Sequence, residues 1–155
     1  MPDPVVGMVL GSSSDEERAK SAWVLLEKFG VEYEMVILNP HRSPRAVADY
    51  AASAEDRGLN VLIAAAARAA ALPGMLASYT TIPVVGLPIW TDHLSGQDAL
   101  YSMLQMPSGV PVATVGLDAA ANAGILAIQI LAVARPDLRQ QLREFKEQLA
   151  GGLRL

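Results

Sequence analysis

The chain has 155 residues, of which 52% are hydrophobic and 18% are charged, and its net charge is −4 at pH 7. This length supplies a core for one domain and is too short for two, so we predict a single domain over residues 1–155. The acidic balance and the lack of a basic run argue against a nucleic-acid partner, and the absence of cysteine excludes disulfides and thiolate metal sites.

The apolar residues are not gathered into a membrane segment. No uninterrupted apolar stretch reaches the ~18 residues of a transmembrane helix, and residues 1–10 lack the features of a signal peptide. We therefore expect no membrane partner and a cytoplasmic location. Because a mean hydropathy of +0.28 is high for a monomer of this size, we expect a homo-oligomer that buries part of the apolar surface.

Strand and helix patterns alternate along the whole chain. The predicted strands lie at residues 5–10, 34–38, 60–65, 83–88 and 112–116. The predicted helices lie at residues 14–29, 44–57, 74–79, 97–105, 119–131 and 136–150. No strand pattern favours a hairpin, so the sequence predicts an α/β fold, a parallel sheet with helices on both faces.

Short motifs predict where three of the helices begin. Ser14 and Glu17 fit a capping box, in which the serine hydroxyl accepts a hydrogen bond from a free backbone amide. Ser43 followed by Pro44 is typical of an N-cap with proline at the first helical position. Asp118 is the predicted N-cap of the helix at 119–131.

Three loops of unusual composition follow the first three strands, at residues 11–15, 39–43 and 66–74. In parallel α/β sheets, ligands bind beyond the carboxyl ends of the strands, where the strand order reverses. The first loop also offers hydroxyl groups and the positive end of a helix dipole, which hold anions. The three loops therefore predict one site for an anionic ligand.

The side chains in these loops suit a phosphorylated sugar. Arg42 can bind a phosphate through two parallel hydrogen bonds, and Ser12 and Ser14 can donate further ones. Asp15 can accept hydrogen bonds from ribose hydroxyls.

Two histidines are candidates for acid–base chemistry. His41 lies next to the predicted phosphate-binding arginine, whereas His93 lies in a long loop and is interpreted as a solvated side chain. No cluster of histidine and acidic residues has the spacing of metal ligands, so we predict no metal site.

Six motifs, taken together, resemble one known family. They are GSSSD at 11–15, PHRSP at 40–44, ALPGM at 71–75, LSGQDAL at 94–100, QMPSGVPVATV at 105–115 and NAGILA at 122–127. Their order and spacing are similar to those of the PurE family of class I N5-carboxyaminoimidazole ribonucleotide mutases. The resemblance implies a three-layer, flavodoxin-like sheet and a homo-octamer with active sites between subunits.

The resemblance also implies a reaction and a set of site residues. The family moves a carboxyl group from the exocyclic nitrogen of the ribonucleotide to C4 of its ring, releasing and recapturing CO2 without a metal or cofactor. Positions matching Ser12, Ser14 and Asp15 contact phosphate and ribose. The position matching Arg42 binds phosphate, and the one matching His41 lies near the imidazole and its carboxyl group.

Two segments depart from the family pattern. Where the family reads S-A-H-R-T-P, residues 39–44 read NPHRSP, and Asn39 still offers a donor to an anion. Where the family reads G-A-G-G-A-A-H-L-P-G, residues 65–74 read AAARAAALPG. Ala71 therefore replaces the histidine that shuttles the C4 proton, and losing such a group typically removes about 10²–10⁴-fold in rate.

Three glycines of that pattern are also replaced, by Ala65, Ala67 and Arg68. A non-glycine residue costs roughly 1–2 kcal/mol wherever the backbone must be left-handed. With these changes in view, we expect Asn39, Ala67, Arg68 and Leu72 to be substrate-binding residues as well.

Three functions fit these observations. The first is a mutase in which His41, or His93 from a neighbouring subunit, relays the proton. The second is a PurE paralogue that carboxylates or decarboxylates a different nucleotide or heteroaromatic acid, with Arg68 opposite a carboxylate. The third is a catalytically silent oligomeric scaffold.

Overall fold

Short apolar runs form the strands of one parallel sheet. In the computed structural model, which describes residues 3–155, the strands are β1 (Val6–Leu10), β2 (Tyr33–Ile37), β3 (Val61–Ala67), β4 (Val84–Ile89) and β5 (Ala113–Thr114). Each strand pairs with its neighbours in parallel, in the order β2-β1-β3-β4-β5. This order is that of flavodoxin-like sheets, so the predicted fold class is confirmed.

Helices cover both faces of the sheet. They are α1 (Glu16–Lys28), α2 (Pro44–Ser53), α3 (Ala71–Tyr79), α4 (Gln97–Leu104), α5 (Ala120–Ala132) and α6 (Pro136–Ala150). Helices α1, α5 and α6 pack on one face, and α2, α3 and α4 pack on the other. The three predicted layers are therefore present. Within residues 3–155, no helix has both the length and the apolar character needed to cross a membrane.

Strand β3 shows why the central apolar runs are continuous rather than alternating. Its residues Ile63 and Ala65 point into the core beneath α1 and α5, while Leu62 and Ala64 point into the core beneath α2 and α3. All four are fully buried. A strand that is buried on both faces carries apolar residues at every position, as is typical of parallel sheets.

The first helix begins differently from the prediction. A 3-10 turn, Ser13–Asp15, precedes α1, and the hydroxyl of Ser12 accepts a hydrogen bond from the Ser14 amide at 3.3 Å. The predicted capping box at Ser14 is therefore wrong, because α1 begins only at Glu16 with Asp15 as its capping residue, and the serine cap belongs to the preceding 3-10 turn.

The second helix begins at Pro44 as predicted, although Ser43 makes no side-chain capping hydrogen bond. It ends at Ser53, four residues before the predicted end, and the next residues form turns. The remaining apolar residues there, such as Ala54, are buried without continuing the helix.

The segment after β3 is more regular than predicted. Strand β3 continues to Ala67, and α3 already begins at Ala71. The predicted helix start at residue 74 was therefore late, because Pro73 lies inside the first turn of α3, where its missing amide hydrogen bond costs little.

Asp118 is not an N-cap. It adopts a left-handed backbone with φ of 54°, and the capping residue of α5 is Ala119. The carboxylate of Asp118 is instead used in contacts at the sheet edge, which are described below.

Candidate active site

A cavity of about 540 Å³ opens at the carboxyl ends of β1, β2 and β3. The chain passes from β1 to β2 on one side and then to β3 on the other, so the strand order reverses here. All of the residues predicted for the site line this cavity, namely Ser12, Ser14, Asp15, Asn39, His41, Arg42, Ala67, Arg68 and Leu72. The fold thus gathers three separate loops around one space.

The loop after β1 presents polar hydrogens at the cavity edge. The hydroxyls of Ser12 and Ser14 lie 2.9 Å apart, and Ser12 is in an extended conformation. Both side chains line the cavity and stay accessible to solvent. Hydroxyls and amides at the start of a helix are suited to hold the oxygens of a phosphate.

Asp15 is a buried carboxyl group on the cavity wall, with 5% of its surface exposed. Burial raises its pKa above the ordinary value of 3.8, and a hydrogen bond from the backbone of Ser12 opposes the rise. Within residues 3–155, no side chain donates a hydrogen bond to Asp15. A ligand that brings hydroxyl donors would therefore meet a carboxylate whose acceptor positions remain available.

The loop after β2 is ordered by one side-chain oxygen. Oδ1 of Asn39 accepts hydrogen bonds from the backbone amides of His41 and Arg42, each at 3.0 Å. Such a turn fixes the backbone of a short loop. The oxygen of Asn39 is thus used within the loop, so its NH2 group is what this side chain can offer to a ligand.

The turn after β3 is conformationally strained. Arg68 and Ala70 have φ values of 57° and 44°, in the left-handed region, while the amide of Ala70 donates to the carbonyl of Ala67 at 3.0 Å. Left-handed backbone costs a non-glycine residue about 1–2 kcal/mol. Of the three residues that replace family glycines, Arg68 alone is left-handed. Unfavourable backbone of this kind concentrates at functional sites.

The remaining wall of the cavity is apolar or small. Leu72 is fully buried and Ala71 lines the cavity at the start of α3, without any group that can carry a proton. His41 lines the cavity and His93 does not. Among residues 3–155, no three histidine, cysteine or acidic side chains lie together as metal ligands would.

A contact network that the sequence did not predict supports the edge of the site. Asp118 accepts a hydrogen bond from the backbone amide of Trp90 at 2.9 Å and pairs with Arg18 at 2.5 Å. The guanidinium of Arg18 also lies over the Trp90 ring, 5.4 Å from its centre. These contacts hold the end of β4, where Thr91 lines the cavity. No local motif predicts these contacts, because Arg18 and Asp118 are 100 residues apart in the sequence.

Comparison with known proteins identifies the family. The family model described as AIR carboxylase matches residues 5–151. The chain belongs to this family. A crystal structure of Treponema denticola PurE superposes with a TM-score of 0.85 and 29% sequence identity, covering 96% of this chain and 92% of that one. The resemblance inferred from the six motifs is therefore confirmed.

Similar proteins of the AIR carboxylase family carry a specific name. An N5-carboxyaminoimidazole ribonucleotide mutase of Thermotoga maritima is 49% identical over 146 residues, which cover 94% of this chain and 85% of that protein. The protein of the same name from a Synechocystis strain is 45% identical over 96% of this chain and 84% of its own length.

Proposed function

We propose that this chain is an N5-carboxyaminoimidazole ribonucleotide mutase of purine biosynthesis. It moves a carboxyl group from the exocyclic nitrogen of the ribonucleotide to C4 of the imidazole ring. Relatives that are 45–49% identical bear this name, and they favour the mutase over a paralogue with another substrate and over a silent scaffold. The observation that carries the proposal is the gathering of nine predicted residues around one cavity.

In this proposal the phosphate lies at the loops after β1 and β2. Arg42 provides a planar guanidinium that matches two phosphate oxygens, and the hydroxyls of Ser12 and Ser14 add hydrogen bonds. Asp15 accepts from the ribose hydroxyls, and the NH2 group of Asn39 donates to the ligand. The buried side chain of Leu72, with Ala67 beside it, forms a floor for the ring.

The carboxyl transfer needs CO2 to be held in the cavity and one proton relay. The bond between nitrogen and the carboxyl carbon breaks, its electron pair stays on nitrogen, and CO2 is released. Ring C4 then attacks CO2, and the loss of the C4 proton restores the aromatic ring. Holding CO2 against the ring supplies the proximity that such a step needs. His41, the one histidine of this chain that lines the cavity, takes the C4 proton, and the nitrogen that kept the electron pair takes up one proton from His41 or from water.

The test is a direct assay of the reaction. Conversion of N5-carboxyaminoimidazole ribonucleotide to the C4-carboxylated isomer is followed by ultraviolet absorbance. We expect wild type to be active and His41→Asn to lose about 10²–10⁴-fold in kcat. Ala71 and His41 line the same cavity. Since His41 already relays the proton in this proposal, Ala71→His is expected to raise the rate only modestly.

Two results would contradict this proposal. An inactive wild type with an active Ala71→His variant would identify a disabled site. A wild type whose melting temperature does not rise with ribose 5-phosphate would favour the scaffold, because a ligand that binds only the folded state must stabilise it.

The proposal extends to assembly and location. Large apolar side chains stay exposed on the chain taken alone, including Leu94, Tyr101 and Leu104. Burying them between copies would form the homo-oligomer, an octamer by the family resemblance. The small molecules are then a carboxylated ribonucleotide and the CO2 released from it and recaptured, without nucleic acid, in the cytoplasm.

A further inference from the structure

We infer that Arg68 binds the carboxylate of the substrate, so that the cavity holds its ligand by an anionic group at each end. This inference rests on the proposed function and adds a residue to it. It assigns the phosphate to Arg42 and the carboxylate to Arg68, on opposite sides of the loop that follows β1.

The charges around the cavity are unbalanced. Within residues 3–155, the ion pairs involve Arg18, Arg57 and Arg135. Arg42 and Arg68 take part in none of them, and both line the cavity with exposed side chains. Two guanidinium groups without a protein partner, sharing one cavity, favour a ligand with two negative groups over a ligand with one.

The position of the two arginines separates their roles. Arg42 follows β2 and Arg68 follows β3, and β1 lies between these strands. The strands are therefore about 10 Å apart, which is two inter-strand spacings. The loop that carries Ser12 and Asp15 lies between the two charges. A ribonucleotide that is extended across this loop would place its phosphate at one arginine and its ring substituent at the other.

The turn that carries Arg68, residues 66–71, offers no other polar side chain. The neighbours of Arg68 along the cavity are alanines, at positions 66, 67, 69, 70 and 71. The hydrogen bond between Ala70 and Ala67 closes a turn with Arg68 near its tip, in a left-handed conformation that an arginine rarely adopts. A guanidinium held at an unfavourable backbone position, in an otherwise apolar turn, is placed to form two hydrogen bonds with a carboxylate.

The charge of Arg68 has a definite kinetic consequence. A guanidinium attracts a carboxylate and has little attraction for neutral CO2. It therefore stabilises the bound substrate and product more than the intermediate between them. Removing it is expected to raise KM for the carboxylated ribonucleotide about tenfold while kcat changes little or rises.

The experiment measures the binding of two ligands to wild type and to each of three variants. Binding of 4-carboxy-5-aminoimidazole ribonucleotide and of the same molecule without the carboxylate is measured by calorimetry at low ionic strength. We expect wild type to prefer the carboxylated ligand about tenfold, and Arg68→Gln to lose this preference. Arg68→Lys should keep part of it, because the charge remains and the paired hydrogen bonds do not. Arg42→Gln should weaken both ligands alike.

Controls separate this inference from its alternatives. Arg143→Gln, on α6, removes the same charge outside the cavity and is expected to leave the preference unchanged. Arg68→Gly relieves the left-handed strain and should raise the melting temperature while abolishing the preference. If Arg68→Gln and Arg68→Gly both keep the wild-type preference, the inference is wrong even though the enzyme is active. If wild type neither binds nor converts the ribonucleotide, the proposed function itself fails.

Discussion

At the scale of single residues, three costly arrangements lie on the cavity wall. Asp15 is a buried carboxyl group, and Arg68 and Ala70 have left-handed backbones that glycine would adopt at less cost. None of these features helps the chain to fold. A function of the cavity that requires them explains why they are kept there.

Asp15 gives the clearest trade between stability and binding. Asp15→Asn removes a charge that burial disfavours, so we expect the variant to unfold at a higher temperature than wild type at pH 7. The same change weakens the hydrogen bonds to the ribose, and we expect a loss of about 10–100-fold in affinity for ribose 5-phosphate. Thermal unfolding and calorimetry measure the two effects separately.

The pH dependence of the stability provides the control for the Asp15→Asn variant. The pKa of Asp15 is raised in the folded state, so the fold binds this proton more tightly than the unfolded chain does. Stability from this group therefore falls as pH rises from 3.8 through the folded-state pKa. The difference in melting temperature between Asp15→Asn and wild type should be largest above that pH window and should shrink in acid. A difference that is independent of pH would show that the charge is not the cause.

Which loops meet at one cavity could be predicted where the polar residues are local in sequence. Ser12, Asp15 and Arg42 lie in short loops directly after predicted strands, and the topology then brings them to one cavity. The contact of Arg18 with Asp118 joins distant segments, so no window of sequence contains both partners. Its only local signal was an aspartate before a helix, which suggested an N-cap.

At the scale of elements, α1 and α5 approach each other closely at one glycine. A methyl group added at Gly124 would lie 2.6 Å from the carbonyl oxygen of Ala22 and 3.1 Å from its Cα. These atoms belong to the backbone of α1, so they cannot move aside as the end of a flexible side chain would.

We expect Gly124→Ala to destabilise the fold despite the better helix propensity of alanine. Propensity gains about 1 kcal/mol, while overpacking costs typically 1–3 kcal/mol and here meets rigid backbone. The expected net loss is up to about 2 kcal/mol in urea unfolding. Gly116→Ala, in the loop between β5 and α5, is the control for an added methyl group without a clash, since its nearest neighbour would be at 3.7 Å. Equal stability of the two variants would contradict this explanation.

Element boundaries were harder to predict than the elements themselves. Strand β5 keeps only Ala113–Thr114 of the predicted 112–116, because only these two residues pair with β4, opposite Val85 and Gly86. The alanine-rich run gave no periodic signal, so the end of β3 at Ala67 and the start of α3 at Ala71 were both missed by a few residues.

At the scale of the whole molecule, the alternation of strands and helices was enough to predict the layers. It did not give the strand order, which came with the family resemblance. The apolar excess that predicted an oligomer appears on the chain as exposed side chains. Tyr101 and Leu104 are three residues apart on α4, and their exposed fractions are 55% and 52%. They lie on the same face of the helix.

A charge on that face tests the proposed assembly. We expect Leu104→Glu to shift the protein to smaller species in sedimentation velocity, because burying an unpaired carboxylate in an apolar interface is costly. Circular dichroism should show an intact fold. Val24→Glu, on α1, is the control, with 45% of the valine surface exposed. Wild type that sediments as a monomer would contradict the proposed homo-oligomer.

The single oxygen of Asn39 that orders the loop after β2 has one more consequence. It accepts hydrogen bonds from the amides of both His41 and Arg42. The residue proposed to move the proton and the residue proposed to bind the phosphate are therefore fixed by the same turn. Any movement of that turn displaces both residues at once. Natural selection for substrate affinity and natural selection for turnover therefore act on the same turn.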